Sequence, residues 1–75
     1  MSENAREILL NIYRAYIAGD DYTINTPPSS QIHTFNMALN EIREYIEFLR
    51  RDMVKVSITL TENGLEYCMD NFEEA

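Results

Sequence analysis

From Val54 to Leu60 apolar and polar residues alternate strictly: Val54, Val56, Ile58 and Leu60 are interleaved with Lys55, Ser57, Thr59 and Thr61. This period of two is that of a strand with one buried and one wet face. With no linker, the pattern runs into Thr61-Glu62-Asn63-Gly64 and then into Leu65, Cys68, Met69 and Phe72 at i, i+3, i+4 and i+7 of a helix. Thr61 supplies an N-cap oxygen and Glu62 suits the positive end of the helix. Gly64 removes a side chain where the first turn would crowd the strand or helix it packs on. A strand that turns straight into a packed helix is a joint that α+β domains use. Glu73, Glu74 and Ala75 are expected to fray.

Upstream, Ser2 can cap a helix running from about Glu3 to Ala18, in which Ile8, Leu9, Ile12, Tyr13, Tyr16 and Ile17 recur at spacings of three and four. Gly19 stands where a left-handed C-terminal cap is wanted. Tyr22 to Asn25 is a short β-prone piece, and Thr26-Pro27-Pro28-Ser29-Ser30 is a rigid stretch with two candidate caps for a new helix. From there Ile32, Phe35, Leu39, Ile42, Ile46, Leu49 and Met53 step by 3, 4, 3, 4, 3 and 4. Two readings fit: one helix from Ser30 to Asp52, or a short helix, a turn near Asn36, and a second helix capped by Asn36. The absence of Gly and Pro between Ser29 and Arg51 favours the continuous helix.

The 75 residues suit one domain, residues 1–75, mainly helical with three or four helices. Six Lys/Arg against thirteen Asp/Glu give a net charge of −7, so the overall field repels phosphate. Nucleic acid would have to be met by a local basic patch, whereas a basic protein surface would be attracted. The single cysteine and an acidic amino terminus predict a reducing, cytoplasmic setting, and no apolar run reaches the roughly 18 residues of a membrane span.

The segment Leu60-Thr61-Glu62-Asn63-Gly64-Leu65-Glu66-Tyr67 resembles the L-T-x-x-G joint of winged helix-turn-helix proteins, where the last wing strand enters the final helix. The order helix, short strand, helix, strand, helix is also similar to small winged-helix proteins of bacteria and their phages, the YjcQ-type among them. The resemblance implies a winged-helix-like domain acting as a dimer in transcriptional or mobile-element regulation through DNA. Met53 to Leu60 lacks Gly, Pro, Asn and Asp, so a truncated wing is expected.

On a wheel of about 100° per residue, Asn36, Arg43, Glu47 and Arg50 share one flank of the long helix. Asn36, Asn40, Arg43 and Arg50 then suit base edges, with Arg51 and Lys55 for phosphate. The same Arg/Glu mixture also describes a solvated face. Met37 and Phe48 fall about 120 to 160° from the core seam beside Glu41 and Glu44, as for a contact with another chain or for a helix clasped on both sides. The strand Val54 to Leu60 finds a partner only in Tyr22 to Asn25. One edge, with Val54 and Val56, is left for pairing across a homodimer.

Catalysis finds no support. His33 has no partner at metal-ligand spacing, Cys68 lies on an apolar stripe, the carboxylate pairs Glu41/Glu44 and Glu44/Glu47 lie on a wet face, and no glycine-rich phosphate loop exists. No enzyme, cofactor, metal or small-molecule substrate is expected. The alternative to a DNA-binding regulator is an acidic protein-binding module, or a DNA-mimicking inhibitor, that takes a basic partner.

Overall fold

The computed structural model describes residues 1–72; the expected fraying of Glu73 to Ala75 lies outside them. The order is α1 (Glu3–Ile17), β1 (Tyr22–Asn25), α2 (Ile32–Glu41), a 3-10 turn (Arg43–Tyr45), β2 (Ile46–Arg51), β3 (Lys55–Leu60) and α3 (Glu62–Asn71). The protein is α+β, with three α-helices on one face of a three-stranded antiparallel sheet ordered β1-β3-β2. No helix among the described residues is long and apolar enough to cross a membrane.

Both ends of α1 are set by local chemistry. The Ser2 hydroxyl accepts the Ala5 N–H at 3.2 Å. At the other end Gly19 takes φ of 82°, the Gly19 N–H reaches the Tyr16 carbonyl and the Asp20 N–H the Ala15 carbonyl. These are the paired bonds of a Schellman cap, and the positive φ favours glycine there. The helix turns Ala5, Leu9, Ile12 and Tyr13 inward against Val56, Ile58 and Leu60 of β3, with Ala38, Leu39, Ile42, Ile46, Cys68 and Phe72 completing the core. Tyr16 and Ile17 are exposed.

Neither reading of residues 30–52 survives. α2 begins at Ile32 after Gln31, with no side-chain cap from Ser29 or Ser30. It passes straight through Asn36 and stops at Glu41. The Ile42 and Tyr45 N–H groups reach back only three residues, to Leu39 and Ile42, which tightens the chain into the 3-10 turn. Residues 46–51 are a strand. Of the seven seam residues, Phe35, Leu39, Ile42 and Ile46 reach or flank the core and Ile32 is half-buried, whereas Leu49 is 49 % and Met53 94 % exposed.

The strand wins because β3 is waiting for it. Pairing Ile46 with Leu60, Glu47 with Thr59, Phe48 with Ile58, Arg50 with Ser57 and Arg51 with Val56 completes the second ladder of β3. A helix would leave those backbone groups unpaired beside the core. β2 and β3 therefore form a full hairpin where a truncated one was expected. Its turn is supplied by Asp52, one residue before the interval that lacks turn formers. The Asp52 carboxylate accepts the Val54 and Lys55 N–H groups, each at 2.8 Å.

β3 is thereby the central strand, with β1 on its other side from Tyr22↔Ile58 to Asn25↔Lys55. The open β3 edge that suggested dimer pairing does not exist, and Val56, 1 % exposed, faces the core rather than a partner.

The strand-to-helix joint is as expected. The Thr61 hydroxyl accepts the Gly64 N–H at 3.1 Å and donates to the Glu44 carbonyl at 3.0 Å. The neighbour that forbids a side chain at position 64 is the 3-10 turn: a Cβ there would stand 1.9 Å from the Tyr45 carbonyl oxygen. Tyr67 on α3 stacks on the Tyr45 ring at 4.5 Å between centroids.

Candidate nucleic-acid interface

In β2, alternation sends Ile46 and Phe48 to the helix-covered side, opposite Leu60 and Ile58. Leu49 is an extra residue at a register shift between Phe48 and Arg50. This bulge restarts the alternation, so that Arg51, opposite Val56, returns to the helical side and Arg50, opposite Ser57, lies on the other. The Arg51 guanidinium lies 4.7 Å over the Phe48 ring and donates through Nη2 to the Asn36 Oδ1 of α2. Asn36, Leu39, Asn40, Arg43, Phe48 and Arg51 surround a shallow depression of about 150 Å³.

Four of the six expected nucleic-acid residues, Asn36, Asn40, Arg43 and Arg51, thus meet where α2, the 3-10 turn and the hairpin come together. Arg50 and Lys55 do not join them. The flank shared by Asn36, Arg43, Glu47 and Arg50 belonged to a helix that ends at Glu41. Arg50 donates from Nε to Asp52 Oδ2 at 2.6 Å across the hairpin turn, and Lys55 pairs with Asn25 on the outer side of the sheet.

The acidic strip with two apolar residues also dissolves, since Met37 lies on α2 and Phe48 on β2. Phe48 forms the floor under Arg51. Met37, 57 % exposed, lines a separate depression with Ser2, Ala38 and Glu41. Glu41 accepts the Ser2 N–H at 2.8 Å and its hydroxyl at 2.7 Å, and these bonds hold its carboxyl below the usual range. Glu44 is exposed on the 3-10 turn, where its carbonyl serves Thr61. Val54 is exposed at the hairpin tip.

The hairpin tip is tightly tied. Besides its own turn bonds, Asp52 offers its carbonyl to the Thr26 hydroxyl at 2.7 Å, and the Val54 carbonyl accepts the Thr26 N–H at 3.0 Å. The Asp52 carboxyl falls to about 2, chiefly through the Lys55 N–H, with the Arg50 side chain and the Val54 N–H adding to it. Elsewhere burial pushes the Cys68 thiol up to about 11, away from thiolate chemistry, and raises the Tyr22 hydroxyl with help from Glu7. Among the described residues no group of three or more His, Cys, Asp and Glu is placed to hold a metal ion.

Charge is unevenly distributed. Residues 1–21 carry two Arg against four acids, and residues 56–75 carry five acids and no base. Residues 22–55 carry Arg43, Arg50, Arg51 and Lys55 against Glu41, Glu44, Glu47 and Asp52, and are neutral overall. Within them, Tyr22 to Asn40 contains no charged residue apart from the titratable His33. The whole net charge of −7 therefore lies outside β1, α2 and the β2–β3 hairpin. That charge-free run is legible in the sequence and marks the surface on which Asn36 and Asn40 sit. The Arg51–Asn36 bond is not legible, because it needs β2 to be a strand with a bulge at Leu49.

Comparison of the chain with models of protein families, with curated proteins and with solved structures gives no match.

Proposed function

We propose that the protein is a non-enzymatic regulator of winged-helix type that binds duplex DNA as a dimer, with α2 and the β2–β3 hairpin as its contact surface. The observation that carries this reading is the convergence of Asn36, Asn40, Arg43 and Arg51 on the part of the chain that is free of net negative charge. The sheet order, a helix before the hairpin and the L-T-x-x-G joint after it also agree with a winged helix.

The chemistry follows from the donors. Arg51 has no acceptor, so the Asn36 atom facing it is the oxygen, and the Asn36 amide nitrogen is turned away as a free donor. Such a donor matches purine N7 and guanine O6, while Asn40 is free for bidentate bonding to adenine. Arg43 and Arg51 contact phosphate or guanine beside them. Arg50 and Lys55, on the far side of the hairpin, meet phosphates across the groove. A second copy would double these few contacts. The outer edges of β1 and β2 have no strand neighbour among the described residues. The bulge at Leu49 disfavours pairing along β2, which leaves β1 as the edge for a two-fold contact.

Fluorescence anisotropy with sheared genomic DNA at low salt tests the reading. Binding should weaken with rising salt, with a slope set by the few phosphates contacted, and should be lost when Arg43 and Arg51 are both replaced by Ala. No binding at low salt rejects it. Light scattering at high micromolar concentration should give twice the chain mass, and a monomer mass rejects the dimer.

One observation favours a second reading. Glu62, Glu66 and Asp70 recur at four-residue spacing as exposed residues on one side of α3, where like charges weaken a helix. This acidic row fits a basic protein partner. Recovery of a basic protein on the immobilised chain, lost when the three are changed to Gln, Gln and Asn, would support that reading over DNA.

A further inference from the structure

The most exposed large apolar side chain of the described residues is Met53, at 94 %, with Val54 beside it at 63 %. Both sit at the apex of the β2–β3 hairpin. An apolar apex on a floppy loop would mean little, since single exposed apolar residues are ordinary. This apex is held instead by the Asp52 carboxylate, which bonds the N–H groups of Val54 and Lys55, and by Thr26, which bonds the carbonyls of Asp52 and Val54. A rigid, solvent-directed apolar point thus stands within three residues of Arg50, Arg51 and Lys55.

The cations select the surface that the point meets. Arg50, Arg51 and Lys55 draw the hairpin to phosphate, but a phosphate rim offers Met53 nothing apolar. The large apolar faces of a duplex are those of its stacked bases, exposed only where a step is opened; the thymine methyl groups of an unopened duplex are smaller apolar contacts. Apolar wedges that enter from the minor groove open such steps and bend the duplex away from themselves. Met suits the task, being unbranched, long and polarisable.

Resting on the DNA-binding reading above, we infer that Met53 is a wedge that enters a base step of bound DNA from the minor groove, guided by Arg50, Arg51 and Lys55, and bends the duplex. Flexible pyrimidine–purine steps, TA above all, are the preferred point of entry because they unstack most easily. The hairpin would then select sequence by deformability at a position where no base edge is read.

The test uses the full chain and short duplexes with dyes at both ends and 2-aminopurine at a central TA step. Wild-type protein should raise the energy transfer between the ends and the 2-aminopurine fluorescence together. Met53→Ser should bind about tenfold more weakly and lose both signals, while Met53→Leu should keep them. Because Met53 is so exposed, neither variant should alter the thermal midpoint. Binding by wild type without bending or unstacking, or equal signals from Met53→Ser, overturns the wedge and leaves the DNA-binding reading standing. No binding to any duplex removes both. Met53-dependent sedimentation with phosphatidylglycerol vesicles in place of duplex binding would assign the apex to a lipid surface and overturn the inference.

Discussion

The two ends of β3 are built to opposite specifications. At the Leu60 end the chain is enclosed: the Thr61 N–H bonds the Tyr45 carbonyl, its hydroxyl bonds Glu44 and Gly64, and Gly64 lies against the backbone of the 3-10 turn. At the Lys55 end the hairpin tip is held as firmly by hydrogen bonds, through Asp52 and Thr26, yet its side chains are in solvent. One end converts hydrogen bonds into packing, and the other converts them into a shaped, exposed surface. Substitutions at the first should therefore change stability, and at the second the proposed DNA binding.

The largest effect should come from Gly64→Ala. A better helix former normally gains up to about 1 kcal/mol over glycine in a helix. Here the added Cβ would stand 1.9 Å from the Tyr45 oxygen, so α3 or the 3-10 turn must move and the Thr61 bonds with it. The expected net loss is about 4 kcal/mol, a large share of the roughly 4 to 11 kcal/mol available to a chain this size. Urea denaturation followed by circular dichroism should find the variant largely unfolded; an unchanged midpoint would mean that the joint is loose.

Next come three seam residues that a helix would treat alike. Ile46→Ala should cost about 2 to 4 kcal/mol, since Ile46 is buried opposite Leu60. Leu49→Ala, at the exposed bulge, and Met53→Ala should each cost no more than about 0.5 kcal/mol. Equal losses at all three positions would restore the continuous helix and remove the hairpin.

That contrast also explains what was legible in the sequence. The capped start of α1, its glycine stop, the strand β3 and the joint into α3 are each specified by residues within a few positions of one another, and all were readable. Residues 42–51 carry no such local signal. Their 3-4 spacing is compatible with a helix, and what makes them a turn and a strand is pairing with partners outside the segment: the unfilled edge of β3, and Thr61, which bonds the carbonyls of Glu44 and Tyr45. The candidate site inherited this limit. Asn36 and Asn40 lie on a true helix, and the chemistry of Arg43 and Arg51 was readable from residue type. Their meeting over Phe48, and the loss of Arg50 to the far side, depend on one bulged residue.

Thr61→Ala should show a smaller effect, about 1 to 2 kcal/mol, because it removes the α3 cap and the bond to Glu44 while leaving the backbone bond to Tyr45 in place. Ser retains the hydroxyl and should recover most of that loss. If Ser proves as harmful as Ala, the methyl group rather than the hydroxyl is what the joint requires.

The smallest effect on stability belongs to Asp52 and is read best by pH. Its carboxyl titrates at about 2 in the folded chain against 3.8 ordinarily, because the charged form accepts the Lys55 and Val54 N–H groups and meets Arg50. A carboxyl whose folded value is depressed stabilises the fold above its unfolded value, and that contribution is lost as pH falls from about 4 towards 2. The group is fully exposed, so solvent screens the gain and the global midpoint should move little. What should change is local. Carbon-detected NMR should find the Asp52 midpoint near 2, and the amides of Val54 and Lys55 should lose protection, measured against their intrinsic exchange rates at each pH, over the same interval while the amides of β3 from Val56 to Leu60 stay protected. Asp52→Ala should reproduce the fast exchange at neutral pH without unfolding the sheet. If it also weakens DNA binding with Arg50, Arg51, Met53 and Lys55 all intact, the rigidity of the tip, and not only its charge and apolarity, belongs to the binding surface.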